Sequence, residues 1–247
     1  MRRFISAVDG AFVCCAMSDL AICYLPSQWR ALESEYLRAS ACAVIDVIRA
    51  TSTIVTALAN GASGVQPVAD VPDAFVLKAR DPEAVLAGER GGQPLPGFDL
   101  GNSPEEFTAE RVVGRRVILT TTNGTQALAA CRGARAVMTV GLLNLDAVAA
   151  RLRELGPPWI IVCAGYEGHF GYDDAVVAGA LAEALDQEHA LVSLYRSVWR
   201  DLAGALLGSL AGQELVKVDL GKDVPFCAQR DLFSIVPMMN EEGVLVG

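Results

Sequence analysis

Histidine is almost missing from this sequence: His169 and His189 are the only two. They stand far apart and no H-E-x-x-H occurs, so zinc chemistry on imidazole ligands is excluded. Positive charge is also short, with a net charge of -9 over 247 residues. A dedicated nucleic-acid binder needs clustered Lys and Arg for the phosphate backbone, and this charge balance argues against one. No apolar run reaches the roughly 18 residues of a membrane span. Aromatics make up 6% of the chain. There is no G-x-x-x-x-G-K-[ST] loop, no G-x-G-x-x-G after a strand and no G-x-S-x-G elbow. An Asp-x-Asp pair is missing too, because Ile48 stands two after Asp46.

The seven cysteines are odd in number and form no C-x-x-C. Cys42 and Cys163 sit in apolar runs that read as buried strands. This usage fits a reducing cytoplasm, with thiols as small core residues. Hydrophobic residues are 52% and charged residues 20%, a folded composition. Arg2 and Arg3 precede a mildly apolar stretch, but Asp9 and Gly10 interrupt it and a second Met stands at position 17. Residues 1–16 are therefore read as a dispensable extension, and residues 17–247 as a single α/β domain.

Strand-like and helical segments alternate along the chain. Leu20–Leu25, Ala41–Val47, Gly64–Val68, Ala84–Ala87, Arg116–Thr121, Arg135–Val140 and Trp159–Cys163 read as strands. Thr51–Asn60, Pro72–Arg80, Thr125–Cys131 and Asp173–Leu185 read as helices. So does 145–155, capped by Asn144 and stopped by Gly156. Residues 186–222 read mostly as helix, and the tail Lys222–Pro237 as a return strand. The expected fold is three-layer α/β, a mostly parallel sheet with helices on both faces. Gly88–Pro104 is longer than an ordinary connection and carries Glu89, Arg90 and Asp99, which favours a functional loop.

Ligands of open α/β sheets bind outside the carboxyl ends of the strands. At the first such end Asp46 and Arg49 precede Thr51, Ser52 and Thr53. Arg49 can grip phosphate oxygens as a fork, and free N–H groups at a helix start favour an anion. Asp46 would repel phosphate, so its roles are metal ligand or nucleophile. At the second end, Thr122, Asn123, Gly124 and Thr125 let backbone approach a ligand, or simply cap the helix. At the third, Glu167, Asp173 and Asp174 exceed what one cap requires, and Glu167 and Asp174 could reach a shared cation. His169 reads as a turn residue more readily than a catalyst.

Taken in order, Ile45–Ala62, Gly88–Gly92 (GERGG), Gly97–Phe107 (GFDLGNSPEEF), Thr120–Leu128 (TTTNGTQAL), Ala164–Leu181 and Asp223–Pro237 resemble the 2-phosphosulfolactate phosphatase family. The resemblance runs from about Met17 to about Pro237. It implies Mg2+-dependent hydrolysis of the phosphate ester of a small 2-hydroxy acid, with 2-phosphosulfolactate yielding sulfolactate and phosphate. The residues expected to carry it are Asp46, Arg49 and Arg90 for catalysis. Asp46, Glu89 and Asp174 are expected on the metal, and Thr51, Ser52, Thr53, Thr122, Asn123, Gly124 and Thr125 on the substrate. Tyr166 stands where a small hydroxyl residue is common in that family. The expected partner is a small anionic phosphate ester, with neither nucleic acid nor membrane; a homo-oligomer is compatible with this reading. The competing class is a non-catalytic binder of small phosphorylated metabolites, which a phosphate-release assay with and without EDTA separates.

Overall fold

The computed structural model describes residues 19–247, so the expectation about residues 1–16 lies outside the described residues. Ten strands form one sheet: β1 (Leu20–Cys23), β2 (Ala41–Ile45), β3 (Gly64–Pro67), β4 (Val85–Arg90), β5 (Gln93–Pro94), β6 (Arg116–Thr120), β7 (Ala136–Thr139), β8 (Trp159–Cys163), β9 (Met238–Met239) and β10 (Leu245–Val246). Their order is β1-β8-β2-β7-β9-β10-β3-β6-β4-β5. Two parallel groups, β1-β8-β2-β7 and β3-β6-β4, are joined by the short antiparallel pair β9–β10. The α/β expectation with helices on both faces holds.

Strands β2 and β8 are buried along their whole length, as apolar runs covered on both faces must be. Alternation divides them between two cores. Ala41, Ala43 and Ile45 pack with Trp159, Ile161 and Cys163 against the helices Leu145–Leu155 and Tyr172–Ala184. Cys42 and Val44 point the other way. They share one core with Val117 and Leu119 of β6 and with Ile54, Ala57 and Leu128 of the helices Ala50–Ala59 and Gly124–Ala130. A single core fed by both parallel groups requires the sheet to curl around those two helices. The curl brings the carboxyl ends of β2 and β6 together although four strands lie between them in the sheet.

Two expectations need correction. Gly88–Pro104 is not a structureless loop: β4 continues through Gly88–Arg90 and turns back as β5, and Leu100 bridges to Ala87. The tail 222–237 does not supply the return strand. It begins with the short helix Asp223–Cys227, and the strands come later, around a turn at Gly243 with φ +80°. Pro237, which lacks a ladder donor, serves there only as acceptor, to the Thr139 N–H at 3.1 Å. Asn144 stands at the N-cap position of its helix but its side chain does not cap it: Oδ1 accepts the Gly141 N–H at 3.0 Å, in the turn before; Gly156 ends that helix at φ +70°.

Candidate active site

The carboxyl ends of β2, β4, β6 and β8 converge on a cavity of about 200 Å³ lined by Asp46, Ile48, Arg49, Glu89, Gly91, Gly92, Asn102, Thr122, Asn123, Tyr166, Glu167, Ala211, Glu214 and Leu215. A larger recess, about 420 Å³, opens at the amino end of β7 between Arg132–Val137 and the β9–β10 turn. It contains none of the residues singled out from the sequence.

Asp46 follows directly on β2. Its Oδ1 accepts the Ala50 N–H at 3.3 Å, so the carboxylate occupies the helix N-terminus expected to hold an anion. Gly124 closes over it: a Cβ there would lie 2.7 Å from Asp46 Oδ2 and 2.8 Å from the Ala50 Cβ, so only glycine fits. Enclosure raises the Asp46 pKa to about 6, with the Glu89 charge adding to the rise and the Ala50 and Gly124 N–H groups and Arg49 opposing it.

Glu89, at the end of β4, is buried. Its Oε1 accepts the Thr122 N–H at 2.8 Å and the Thr122 hydroxyl at 3.0 Å, and its Oε2 the Gly92 N–H at 2.8 Å. Carboxylate oxygens have spare lone pairs beyond these bonds. The Ile48–Arg49 peptide is cis. The Arg49 side chain is buried, with Nη1 donating to Asp223 Oδ2 at 2.7 Å and Nη2 to the Gly92 carbonyl at 2.8 Å. Asp223 Oδ1 also accepts the Ser103 hydroxyl at 2.7 Å.

The remaining expected residues divide. Thr122 and Asn123 line the cavity, and Asn123 Oδ1 accepts the Glu167 N–H at 3.3 Å. The hydroxyls of Thr51, Ser52, Thr53 and Thr125 are buried and donate to the carbonyls of Asp46, Val47, Asn102 and Thr121. They hold the turns together and do not face the cavity, because a buried hydroxyl takes the nearest free carbonyl. The Arg90 guanidinium turns away from the cavity, donating to Thr120 Oγ1 and to the Ala69 and Glu89 carbonyls. Asp174 bridges two strand ends, Oδ1 accepting the Val47 N–H at 3.0 Å and Oδ2 the Gly165 N–H at 2.9 Å. Among the described residues no group of three His, Cys, Asp or Glu is gathered for one metal ion. The structure thus does not bring Asp46, Glu89 and Asp174 together as a ligand set. His169 lies exposed in the turn after β8, and His189 caps the helix Ala190–Val198, Nδ1 accepting the Leu191 N–H at 3.2 Å.

Local reading of the sequence gives no role to Asp223 or to the wall formed by Ala211, Glu214 and Leu215, and reaches Asn102 only as part of the Gly88–Pro104 segment and its GFDLGNSPEEF run. Burial pushes the Tyr166 hydroxyl pKa up, and the neighbouring Glu167, Glu214 and Glu89 push it further, so this rim is acidic.

Beneath the site, burial raises the Asp173 carboxyl to about 7, with Asp46 adding and the N–H groups of residues 173 and 174 opposing. A carboxyl whose folded pKa exceeds its unfolded value contributes stability that is complete below about 4 and lost as pH rises through about 7. The melting temperature is therefore expected to fall between pH 5 and pH 8. Asp173→Asn should reduce that fall by several degrees without removing it, since Asp174 is also raised, by burial and by Asp173 and Asp46. Calorimetry across this range checks it; an unchanged slope would mean that Asp173 ionises normally.

An open, curled α/β sheet with acids and one arginine gathered at its strand ends defines an enzyme of the class that binds small ligands in the crevice above a parallel sheet. A model of the 2-phosphosulpholactate phosphatase family matches residues 29–242. A protein of Synechococcus sp. (strain RCC307) is 42% identical over 226 residues, covering 84% of this chain and 92% of that protein. One of Gloeobacter violaceus is 42% identical over 214 residues (83% and 91%), and one of Thermotoga petrophila 41% over 202 residues (79% and 87%). Each bears the name "Probable 2-phosphosulfolactate phosphatase". The chain belongs to the 2-phosphosulfolactate phosphatase family.

Proposed function

We propose that this protein hydrolyses the phosphate monoester of a small 2-hydroxy acid, 2-phosphosulfolactate first among them, to the free hydroxy acid and phosphate. The observation that carries this reading is the meeting of Asp46 and Arg49, from the turn after β2, with Glu89, from the end of β4, in one cleft of a family member. Among the described residues no helix is long and apolar enough to cross a membrane. Five free buried thiols among the described residues support a reducing cytoplasm.

Mg2+ is the proposed cofactor. It asks for one or two carboxylates and otherwise keeps water and phosphate oxygens. Asp46 and Glu89 meet that need, with lone pairs left over after their hydrogen bonds. When bound, Mg2+ would neutralise phosphate charge and orient the ester. Arg49 holds phosphate oxygens with the guanidinium N–H groups left over from Asp223 and Gly92. Ile48, Tyr166, Ala211 and Leu215 form the apolar part of the cavity lining. Asp46 either attacks phosphorus itself or orients the attacking water. Trapping of labelled phosphate on Asp46 during single turnover separates these routes.

Phosphate release from phosphosulfolactate, phospholactate and phosphoglycolate, with and without EDTA, tests the reading. Activity is expected to vanish with EDTA and return with Mg2+ or Mn2+. Zn2+ should restore little, because neither His nor Cys lines the cleft. Full turnover in metal-free buffer would remove the metal from the mechanism, and no release from any ester would leave a binding protein.

A further inference from the structure

Asn102 lines the same cleft, and the reading above gives it no role. It is 4% exposed. Its main chain is fixed from both sides. The Asn102 carbonyl accepts the Thr53 hydroxyl at 2.9 Å, and the adjacent Ser103 donates to Asp223 at 2.7 Å. The side chain is not used in this way. Asn102 Oδ1 is enclosed and has no hydrogen-bond partner, a state shared among the described residues only by Thr139 Oγ1, which lies outside the cleft.

Buried acceptors are normally satisfied, and an orphan needs a reason. Here the orphan is the hard amide oxygen of a residue that lines the cleft together with Asp46 and Glu89. Neutral amide oxygens and carboxylates together are the donors that hard divalent cations take. The segment holding Asn102 is pinned by buried hydrogen bonds, so the oxygen can be held in place before a ligand arrives. We propose that Asn102 Oδ1 is a third protein oxygen, beside Asp46 and Glu89, on a divalent cation in this cleft. This rests on the reading of Asp46 and Glu89 as metal ligands.

The test needs no turnover. Metal-free protein is titrated with Mn2+ and the free ion is followed by its spin resonance, in wild type, Asn102→Ala, Asn102→Asp and Asp46→Asn. Altering even the outer partners of metal ligands costs about 10–100-fold in affinity. Asn102→Ala should therefore weaken Mn2+ by at least about 10-fold. Asn102→Asp keeps an oxygen at the same place and adds charge, so it should bind at least as tightly as wild type. The melting temperature of metal-free Asn102→Ala should not fall, because the side chain it removes satisfies no partner. Wild-type Mn2+ affinity in Asn102→Ala, with binding weakened in Asp46→Asn, would overturn this proposal and leave the metal reading standing. The same holds if Asn102→Ala raises only the KM for the phosphate ester. If Asn102→Ala does not fold, weaker binding by Asn102→Asp would overturn it. Absence of Mn2+ binding by wild type would overturn the metal reading and this proposal with it.

Discussion

Asp46→Asn is expected to lower kcat by at least roughly 100-fold, the scale of removing a key electrostatic group, while the protein stays folded. The two halves of this expectation have separate causes. Catalysis suffers because the substitution removes the charge whichever role Asp46 plays, nucleophile or ligand. The amide also meets the Gly124 N–H with one end that can no longer accept. Stability is spared because the carboxylate is already strained electrostatically. Enclosure and the nearby Glu89 hold its pKa at about 6, so a neutral side chain of the same shape relieves repulsion at pH 7 and above. The Ala50 N–H still finds an oxygen at 3.3 Å on Oδ1. Steady-state kinetics and a melting curve on the same preparation decide the matter. A folded Asp46→Asn protein turning over near the wild-type rate would remove Asp46 from the chemistry.

Most of the frame could be read from the sequence, and the reasons are local. The β2 and β8 runs are apolar on both faces and too short for helices. Gly156 and Asn144 mark one helix at both ends. Asp46 and Glu89 could be picked because acids after buried strands have few structural reasons to be there. What escaped depends on distance along the chain or on side-chain direction. Arg49 and Asp223 are 174 positions apart. No periodicity links them, and Asp223 lies at the start of a tail expected to form a strand. The hydroxyls of Thr51, Ser52 and Thr53 have the composition of an anion site, but composition does not say where an Oγ points. In the fold they satisfy carbonyls of the turn and of the Asn102 segment. Asp174 has the right chemistry for a metal, yet it does not line the cavity and instead ties two strand ends together through the Val47 and Gly165 N–H groups. The β9–β10 pair is only two residues per strand, below what alternation can reveal.

Arg49→Lys is expected to reduce kcat/KM by roughly 100-fold, comparable to losing one preorganised donor, whereas Arg90→Lys should act more weakly and through the position of Glu89. Both substitutions keep the positive charge, so the difference tests geometry. Arg49 reaches Asp223 and the Gly92 carbonyl from one planar group, and in the proposed mechanism the substrate as well. A lysine ammonium is a single point and cannot span all three. Arg90 has its donors committed to Thr120, Ala69 and Glu89 main- and side-chain oxygens, behind the cleft wall. The partner of Arg49 makes the expectation sharper. Asp223 is fully buried, with Arg49 and Ser103 as its side-chain hydrogen-bond partners among the described residues, at 2.7 Å each. Asp223→Asn leaves a buried guanidinium without its counter-charge, which costs about 3–5 kcal/mol when such a pair is broken. It should therefore both lower the melting temperature and raise the KM for the ester, since Arg49 loses the contact that aims it. A surface ion pair, worth about 0–1 kcal/mol, would move neither quantity. Wild-type kcat/KM in Arg49→Lys would show that the guanidinium does not touch the reacting phosphate. An Arg90→Lys loss as large as that of Arg49→Lys would move the anion site toward the β4–β6 edge.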